Sequence, residues 1–358
     1  MKWEKKSLTD CLWFQRGFDL PRDSFIDGEV PVVGATSILG YHNEAKVKSP
    51  GIVTGRSGTI GQFQYLKTDF WPHNTSLWVK DFNGNDERFA YYLLHTLDFK
   101  SLNGGGAVPS LNRNFLSSIY VNLPPLPTQR RIASILSAYD DLIENNLKRI
   151  KLLEEKAELR YKEIVKNEKL EKIQLKDVAV VNQSTLKSNT NIDKILYVDI
   201  SSVSTGSIDG KTEYDLKDAP GRAKRIVKHE DIIWSCVRPN RKSFSIVWRP
   251  EENLIASTGF AVITAQKIPS TFLYQLITEN EFVGYLENNA KGAAYPAVTA
   301  KDFEDGFIKM PSNTILKDYH REISPCFELK YILQNQNTKL REARDILLPR
   351  LMSGEINV

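Results

Sequence analysis

The chemistry that the residue types favour most clearly is the binding of anions. Between residues 222 and 242, seven basic side chains stand against two acidic ones. The basic residues are Arg222, Lys224, Arg225, Lys228, Arg238, Arg241 and Lys242. Lysine and arginine bind phosphate groups, and arginine also pairs with the base edges of DNA. A solvated surface has the same composition, so charge alone leaves both interpretations open.

Motifs for catalysis are incomplete in this chain. The stretch Asn122–Leu126 departs from the Asn-Pro-Pro-Tyr motif of adenine methyltransferases, because a leucine is inserted and the aromatic residue is missing. The loop Gly55–Gly61 has neither the spacing of a dinucleotide-binding motif nor the lysine of a phosphate-binding loop. Asp140 and Glu154 lie about 20 Å apart on one predicted helix, which is too far for both to bind one metal ion. The histidines show no metal-ligand spacing. The sequence therefore predicts no catalytic site, metal or cofactor of its own.

Length and composition indicate a globular protein of several domains. The 358 residues leave room for two or three domains with separate cores. No apolar run approaches the roughly 18 residues of a membrane helix, and the charged N-terminus lacks a secretory signal. The cysteines Cys11, Cys236 and Cys326 are odd in number and far apart, which favours a reducing compartment. We therefore expect a cytoplasmic protein.

An internal repeat with a long period organises the chain. Leu8-Thr9-Asp10 recurs as Leu175-Lys176-Asp177, and Gly51–Thr54, which leads to Arg56, recurs as Asp231–Ser235, which leads to Arg238. Further along, Gly105–Leu111 recurs as Lys291–Val298, and Ile119–Pro124 as Phe307–Pro311. Each match is short, but all of them keep the same order. The repeat predicts two domains built on one plan.

Each repeat then continues into a long helix with a heptad pattern of apolar residues. The helices are predicted over residues 129–166 and 318–351, the first spanning about 57 Å, and Pro349 is expected to end or kink the second. The predicted seam residues are Ile132, Leu136, Ile143, Asn146, Ile150, Leu153, Ile323, Leu333, Asn337, Leu340 and Leu347. Asn146 and Asn337 occupy equivalent places on the seam. Either they face each other across an antiparallel pair and set its register, or each lies at a solvated edge.

The region before each helix has the pattern of a mixed α/β domain. In the first repeat the predicted strands are 52–54, 77–79 and 119–123, with a helix over 87–99. In the second they are 195–200, 232–235, 244–248 and 260–264, with a helix over 271–287.

Two stretches carry a resemblance to a known family. Leu123-Pro124-Pro125-Leu126-Pro127-Thr128-Gln129-Arg130-Arg131-Ile132 precedes and opens the first long helix, and Leu347-Leu348-Pro349-Arg350-Leu351-Met352-Ser353-Gly354-Glu355-Ile356 ends the second. Both resemble the corresponding segments of the specificity (S) subunits of type I restriction–modification enzymes. Gly105–Asn112 is similar to a segment of the target-recognition domains of that family. His320-Arg321-Glu322-Ile323 departs from the glutamine-led version that is usual there.

The resemblance implies an α+β fold in which two globular α/β target-recognition domains are separated by two long antiparallel coiled-coil helices, with a pseudo-twofold internal repeat. The implied boundaries are 1–125 and 171–312 for the domains, and 126–170 and 313–358 for the helices. Each domain would read one half of a bipartite site in double-stranded DNA. The helices would bind two methyltransferase (M) subunits, and restriction (R) subunits would complete the enzyme. S-adenosylmethionine, ATP and Mg are then expected only on those partners, and no membrane is involved.

Candidate DNA-binding residues are those able to pair with bases or phosphates near the repeated loops. They are Arg56, Ser57, Thr59, Gln62, Asn103, Lys224, Arg225, Arg238, Asn240, Arg241, Lys242 and Tyr295. Two alternatives stay open at this point. One is a divergent or fused adenine-specific DNA methyltransferase, and the other is a coiled-coil adaptor without DNA specificity. Binding of S-adenosylmethionine would identify the first, and the absence of a steep salt dependence in affinity for random duplex DNA would favour the second.

Overall fold

A computed structural model describes residues 3–56, 60–99, 116–187, 190 and 192–358 of the chain. The chain divides into two compact units. The first comprises residues 1–145 and 336–358, and the second comprises residues 146–335. Both boundaries fall inside long helices, so each unit holds a mixed α/β domain and a part of each helix. The mixed α/β architecture with two long helices is as predicted, whereas the four-part division of the chain stays a prediction.

In the first unit, antiparallel strands form a four-stranded sheet in the order β2-β8-β5-β6, next to a smaller sheet β4-β3-β7 and a two-stranded ribbon β1-β9. Apolar side chains of the larger sheet, of α2 and of the long helices form one core. The elements are β1 (Glu4–Ser7), α1 (Leu8–Cys11), β2 (Trp13–Arg16), β3 (Val30–Val33), β4 (Ile38–His42), β5 (Gly51–Gly55), β6 (Phe63–Leu66), β7 (Trp71–Pro72), β8 (Ser76–Asp81), α2 (Glu87–His95), β9 (Tyr120–Leu123) and α3 (Leu126–Asn167).

The second unit has a corresponding four-stranded sheet, β11-β20-β17-β18, and a second sheet β15-β12-β19-β16. The ribbon β10-β21 and the short hairpin β13-β14 complete it. The elements are β10 (Glu171–Gln174), β11 (Ala179–Val181), β12 (Lys194–Val198), β13 (Val203–Ser204), β14 (Ser207–Ile208), β15 (Thr212–Asp215), β16 (Ala223–Ile226), β17 (Ile232–Ser235), β18 (Phe244–Ile246), β19 (Leu254–Ser257), β20 (Phe260–Ala265), α4 (Ser270–Thr278), α5 (Asn280–Asn289), α6 (Ala300–Glu304), β21 (Phe307–Met310) and α7 (Asn313–Met352).

Strand order repeats between the units, as the sequence repeat predicts. Each four-stranded sheet takes its strands from the same places in the repeat, and each second sheet contains one parallel pair, β3 with β7 and β12 with β19. Edge strand β16 has no counterpart among the described strands of the first unit. The loops β5–β6 and β17–β18 are therefore topologically equivalent. These are the loops that carry Arg56 and Arg238.

One local prediction is wrong, and another is wrong in part. The helix predicted over 271–287 is two helices, because Glu279 has an extended backbone (ψ 159°) and its carboxylate accepts a hydrogen bond from the Tyr161 hydroxyl at 2.8 Å. The second long helix does not end at Pro349 but continues to Met352, whereas a kink at Pro349 stays a prediction. A proline in the last turn removes only one hydrogen bond, and burial of Leu351 and Met352 in the first core stabilises that turn.

The long helices pack antiparallel in the second unit and are in contact in the first. In the second unit, Glu154 pairs with Lys330 at 2.6 Å and Arg160 with Glu322 at 3.2 Å, so residue numbers rise along α3 as they fall along α7. In the first unit, the Asp140 carboxylate lies 2.6 Å from the Arg344 guanidinium.

The residues predicted for the helix seam are all buried or half-buried. Ile132, Leu136, Ile143, Asn146, Ile150, Ile323, Leu333 and Asn337 are buried, and Leu153, Leu340 and Leu347 are half-buried. Burial of Asn146 and Asn337 does not fit a solvated edge for either. That the two face each other stays a prediction.

Candidate nucleic-acid interface

The loop between β17 and β18 contains four of the candidate residues in a tight, defined conformation. Strand β17 is fully buried, so the chain emerges from the core at Cys236. A single 3-10 turn, Pro239–Arg241, follows, and both residues that flank it have left-handed backbones, Arg238 with φ 52° and Lys242 with φ 53°. Non-glycine residues adopt this region at an energetic cost, and they do so often where function needs a particular display of side chains.

A second segment, residues 291–298, packs against this loop and holds it in place. Val237 forms a β-bridge with Ala297, and the Arg238 amide donates to the Pro296 carbonyl at 2.7 Å. The Val298 amide donates to the Cys236 carbonyl at 2.9 Å. These backbone contacts offset the cost of the left-handed residues. They also join two segments that the sequence repeat singles out separately.

The half-buried Arg238 and the exposed Tyr295 form the centre of this surface. The guanidinium carbon lies 4.6 Å from the centroid of the Tyr295 ring, and Nη2 donates to the Ala294 carbonyl at 3.2 Å. Tyr295 is 69% exposed. Stacking on an aromatic face orients the plane of a guanidinium. A guanidinium has five N–H donors, so Arg238 can donate further hydrogen bonds besides the one to Ala294. The pair can therefore present a fixed fork of donors to a base edge or a phosphate.

Three further candidates surround this pair. Asn240 and Arg241 are exposed, and Lys242 is half-buried, with its ammonium donating to Asn280 Oδ1 at 2.8 Å. The structure thus brings together five of the predicted DNA-binding residues: Arg238, Asn240, Arg241, Lys242 and Tyr295. Whether they contact DNA stays a prediction.

Lys224 and Arg225 lie on a different element, the edge strand β16, and both are half-buried. The loop residue Leu186 covers this edge, its amide donating to the Lys224 carbonyl at 2.7 Å. Burial raises the pKa of the Cys236 thiol to about 11, and the Arg225 cation offsets part of that rise. Arg225 is therefore electrostatically linked to the start of the β17–β18 loop.

The candidates of the first unit are only partly described. Arg56 is half-buried, and its amide donates to the Thr75 carbonyl at 3.1 Å; Gln62 is exposed. Ser57, Thr59 and Asn103 lie outside the described residues, as does the glycine segment 105–111.

Sequence reasoning missed the polar contacts that attach each domain to the long helices. In the first unit, Asp140 accepts hydrogen bonds from the buried Tyr92 at 2.5 Å and from Arg344 at 2.6 Å. In the second, the buried Lys330 ammonium bonds Glu154 and the Gly206 carbonyl, at 2.6 and 2.7 Å. A charged residue within a heptad pattern was the only signal, and it does not identify the partner.

Neither a metal site nor a membrane span is found in the part of the chain that the structure describes. Within those residues no group of three His, Cys, Asp or Glu side chains is placed to hold a metal ion. None of the helices there has the length and apolar character needed to cross a membrane.

Comparison with known proteins gives consistent matches. Residues 1–155 match the family described as type I restriction modification DNA specificity domain. The chain is 27% identical over 310 residues to the type I restriction enzyme MjaIX specificity subunit of Methanocaldococcus jannaschii, covering 77% of this chain and 70% of that protein. It is 30% identical over 101 residues to the HindI specificity subunit of Haemophilus influenzae, covering 27% and 22% of the two chains.

A solved structure shares the fold. The crystal structure of a type I restriction–modification S subunit from M. genitalium matches 98% of this chain and 96% of its own, with a TM-score of 0.67 and 15% sequence identity.

Proposed function

The chain is a relative of the type I restriction specificity subunits, and on that premise we propose that it reads a bipartite DNA sequence for a methyltransferase. The observation that carries the proposal is the paired loop surface of the second unit, where Arg238 is stacked on the exposed Tyr295 beside Asn240, Arg241 and Lys242. Arginine and asparagine are the side chains that pair with guanine and adenine edges, and cations bind phosphates.

Two recognition surfaces follow from the repeated fold. The β5–β6 loop with Arg56 occupies the place in the first unit that the β17–β18 loop occupies in the second. The two loops have different sequences, which suits the reading of two different half-sites. Each domain has its own core, so each is expected to read its half-site independently of the other.

The proposed partners supply the chemistry. Specificity subunits are non-catalytic, and two methyltransferase subunits would bring S-adenosylmethionine to the recognised adenines. Restriction subunits would bring ATP and Mg for translocation and cleavage. This chain would contribute binding and positioning in the cytoplasm. Its long helices, which expose apolar side chains such as Leu142, Leu152 and Leu159 beside their polar residues, are the proposed docking surface for the methyltransferase.

A domain exchange tests the proposal. Residues 1 to about 122 are replaced by the equivalent part of a related subunit, the chimaera is expressed with its methyltransferase, and methylated sites are mapped by sequencing. We expect one half of the methylated site to change and the other half to stay. The matched control exchanges residues 171–312 and should change only the opposite half. A chimaera that rewrites both halves, or a wild-type chain that directs no methylation, would contradict the proposal.

A further inference from the structure

Each unit contains a two-stranded antiparallel ribbon that leads directly into a long helix. The strands β1 and β9 pair Ser7 with Tyr120 and are followed by α3. The strands β10 and β21 pair Gln174 with Phe307 and are followed by α7. Lys5 and Lys172 stand two residues before Ser7 and Gln174, so they lie on the same ribbon face as the aromatic residue of their unit.

The same side-chain contact forms on both ribbons. Tyr120 is 62% exposed, and the Lys5 ammonium lies 5.4 Å from its ring centroid. Phe307 is 54% exposed, and the Lys172 ammonium lies 4.5 Å from its ring centroid. We call these the ribbon patches: Lys5 with Tyr120, and Lys172 with Phe307. The opposite face of each ribbon is packed into a core, through Val121 in the first unit and residues such as Ile308 in the second.

The neighbouring lysines of both ribbons form ion pairs with carboxylates. Lys6 pairs with Glu4 at 3.0 Å, and Lys309 pairs with Glu281 at 2.8 Å. The patch lysines instead lie over aromatic rings. Each patch thus exposes an aromatic ring together with a cation, and aromatic residues are enriched at protein–protein interfaces.

The two patches keep the same chemistry, whereas the two candidate recognition loops do not. Surfaces that read different half-sites must differ, but surfaces that bind two copies of one protein must stay alike. We propose that the ribbon patches are equivalent contact points for two copies of the same protein, which meets each lysine with a carboxylate and each ring with an apolar pocket. The inference rests on the proposed function in taking the methyltransferase subunit as that protein.

DNA is the less suitable occupant for these patches. Binding of phosphate without sequence preference also requires equivalent surfaces, but it requires hydrogen-bond donors or cations. Each patch supplies one such cation, Lys5 or Lys172, but its other member is an exposed aromatic ring that a phosphate does not use, and Phe307 has no polar side-chain atom. Aromatic anchors surrounded by polar groups are, in contrast, typical of the residues that dominate protein–protein affinity.

The experiment measures assembly of the full chain with its methyltransferase subunit by native mass spectrometry and titration. The variants are Tyr120→Ala, Phe307→Ala and the pair combined. We expect each single variant to weaken one of two binding steps at least about tenfold, and the double variant to weaken both. Tyr120→Phe should bind as the wild type does. The control is Tyr41→Ala, which removes a tyrosine of 54% exposure from β4, outside both patches.

Charge reversal provides the second arm. Lys5→Glu and Lys172→Glu should each weaken one binding step without changing the thermal unfolding of the chain. Alanine variants that assemble like Tyr41→Ala would overturn the ribbon proposal while the domain-exchange result stands. Variants that bind the methyltransferase normally but lose affinity for random duplex DNA would overturn it in favour of a DNA contact. A wild-type chain that fails to bind the methyltransferase at all would overturn the proposed function as well.

Discussion

Replacement of single residues in the β17–β18 loop should separate phosphate binding from base reading. The Arg241 side chain is exposed, and the turn around it is held by backbone bonds, including its own amide to the Arg238 carbonyl at 2.9 Å. Arg241→Ala should therefore leave the loop intact and remove one cation. If that cation binds a phosphate, the slope of log affinity against log salt falls by about 0.9. Between about 50 and 200 mM salt, the variant then loses about 3.5-fold less affinity than the wild type.

Arg238→Ala should behave differently. Its guanidinium is held by the Tyr295 ring and the Ala294 carbonyl, so its direction is fixed before DNA binds. Loss of a base contact by such a group costs about 1–3 kcal/mol, or roughly 5- to 150-fold in affinity for the cognate site. The preference at one base position should relax, while binding to random DNA should change much less.

Tyr295 supplies the control for orientation. An exposed cation–π contact contributes about 0.5–1 kcal/mol, so Tyr295→Ala should weaken cognate binding about two- to fivefold, and Tyr295→Phe should weaken it less. In the Arg238→Ala background, Tyr295→Ala should have little further effect, because the group that the ring orients is gone.

The assay is fluorescence anisotropy of the chain assembled with its methyltransferase, on cognate and random duplexes over a series of salt concentrations. Equal effects of Arg238→Ala and Arg241→Ala on all sequences would refute base reading by Arg238. Unchanged binding by the triple variant of Arg238, Arg241 and Lys242 would refute the whole assignment of this loop.

Other predictions concern stability and catalysis. Asp140→Ala removes the acceptor of the buried Tyr92 hydroxyl and one of the two carboxylates that pair with Arg344, and it should cost about 2–3 kcal/mol in urea unfolding. The adjacent, exposed Asp141→Ala should cost under about 1 kcal/mol, and equal costs would contradict this. Burial raises the pKa of Asp231 above its ordinary 3.8, despite hydrogen bonds to its carboxylate. The folded protein therefore binds a proton on the Asp231 carboxyl more tightly than the unfolded chain does, so the stability of the fold falls as pH rises from about 3.8 through the raised pKa. Asp231→Asn should flatten this pH dependence in thermal unfolding. Purified chain alone should neither methylate nor cleave DNA; activity abolished by a point substitution in this chain would contradict that.

Local sequence was sufficient for the elements whose signal is periodic. The heptads over 129–166 and 318–351 predict the two long helices, which extend over Leu126–Asn167 and Asn313–Met352. Short matches in constant order predict the repeated topology, because each strand of a repeat must bury the same face to build the same core. The basic loop after β17 was also apparent from composition.

Contacts between distant residues were decided only by tertiary packing. Arg238 and Tyr295 belong to separate segments, and no periodicity relates them; the bridge from Val237 to Ala297 brings them together. The bonds of Asp140 to Tyr92 and Arg344 join a helix to two remote elements in the same way. Even the break at Glu279 depends on a partner, Tyr161, from another helix. Periodicity reports which face of an element is apolar, whereas the partner of a polar side chain depends on which surfaces meet when the cores pack.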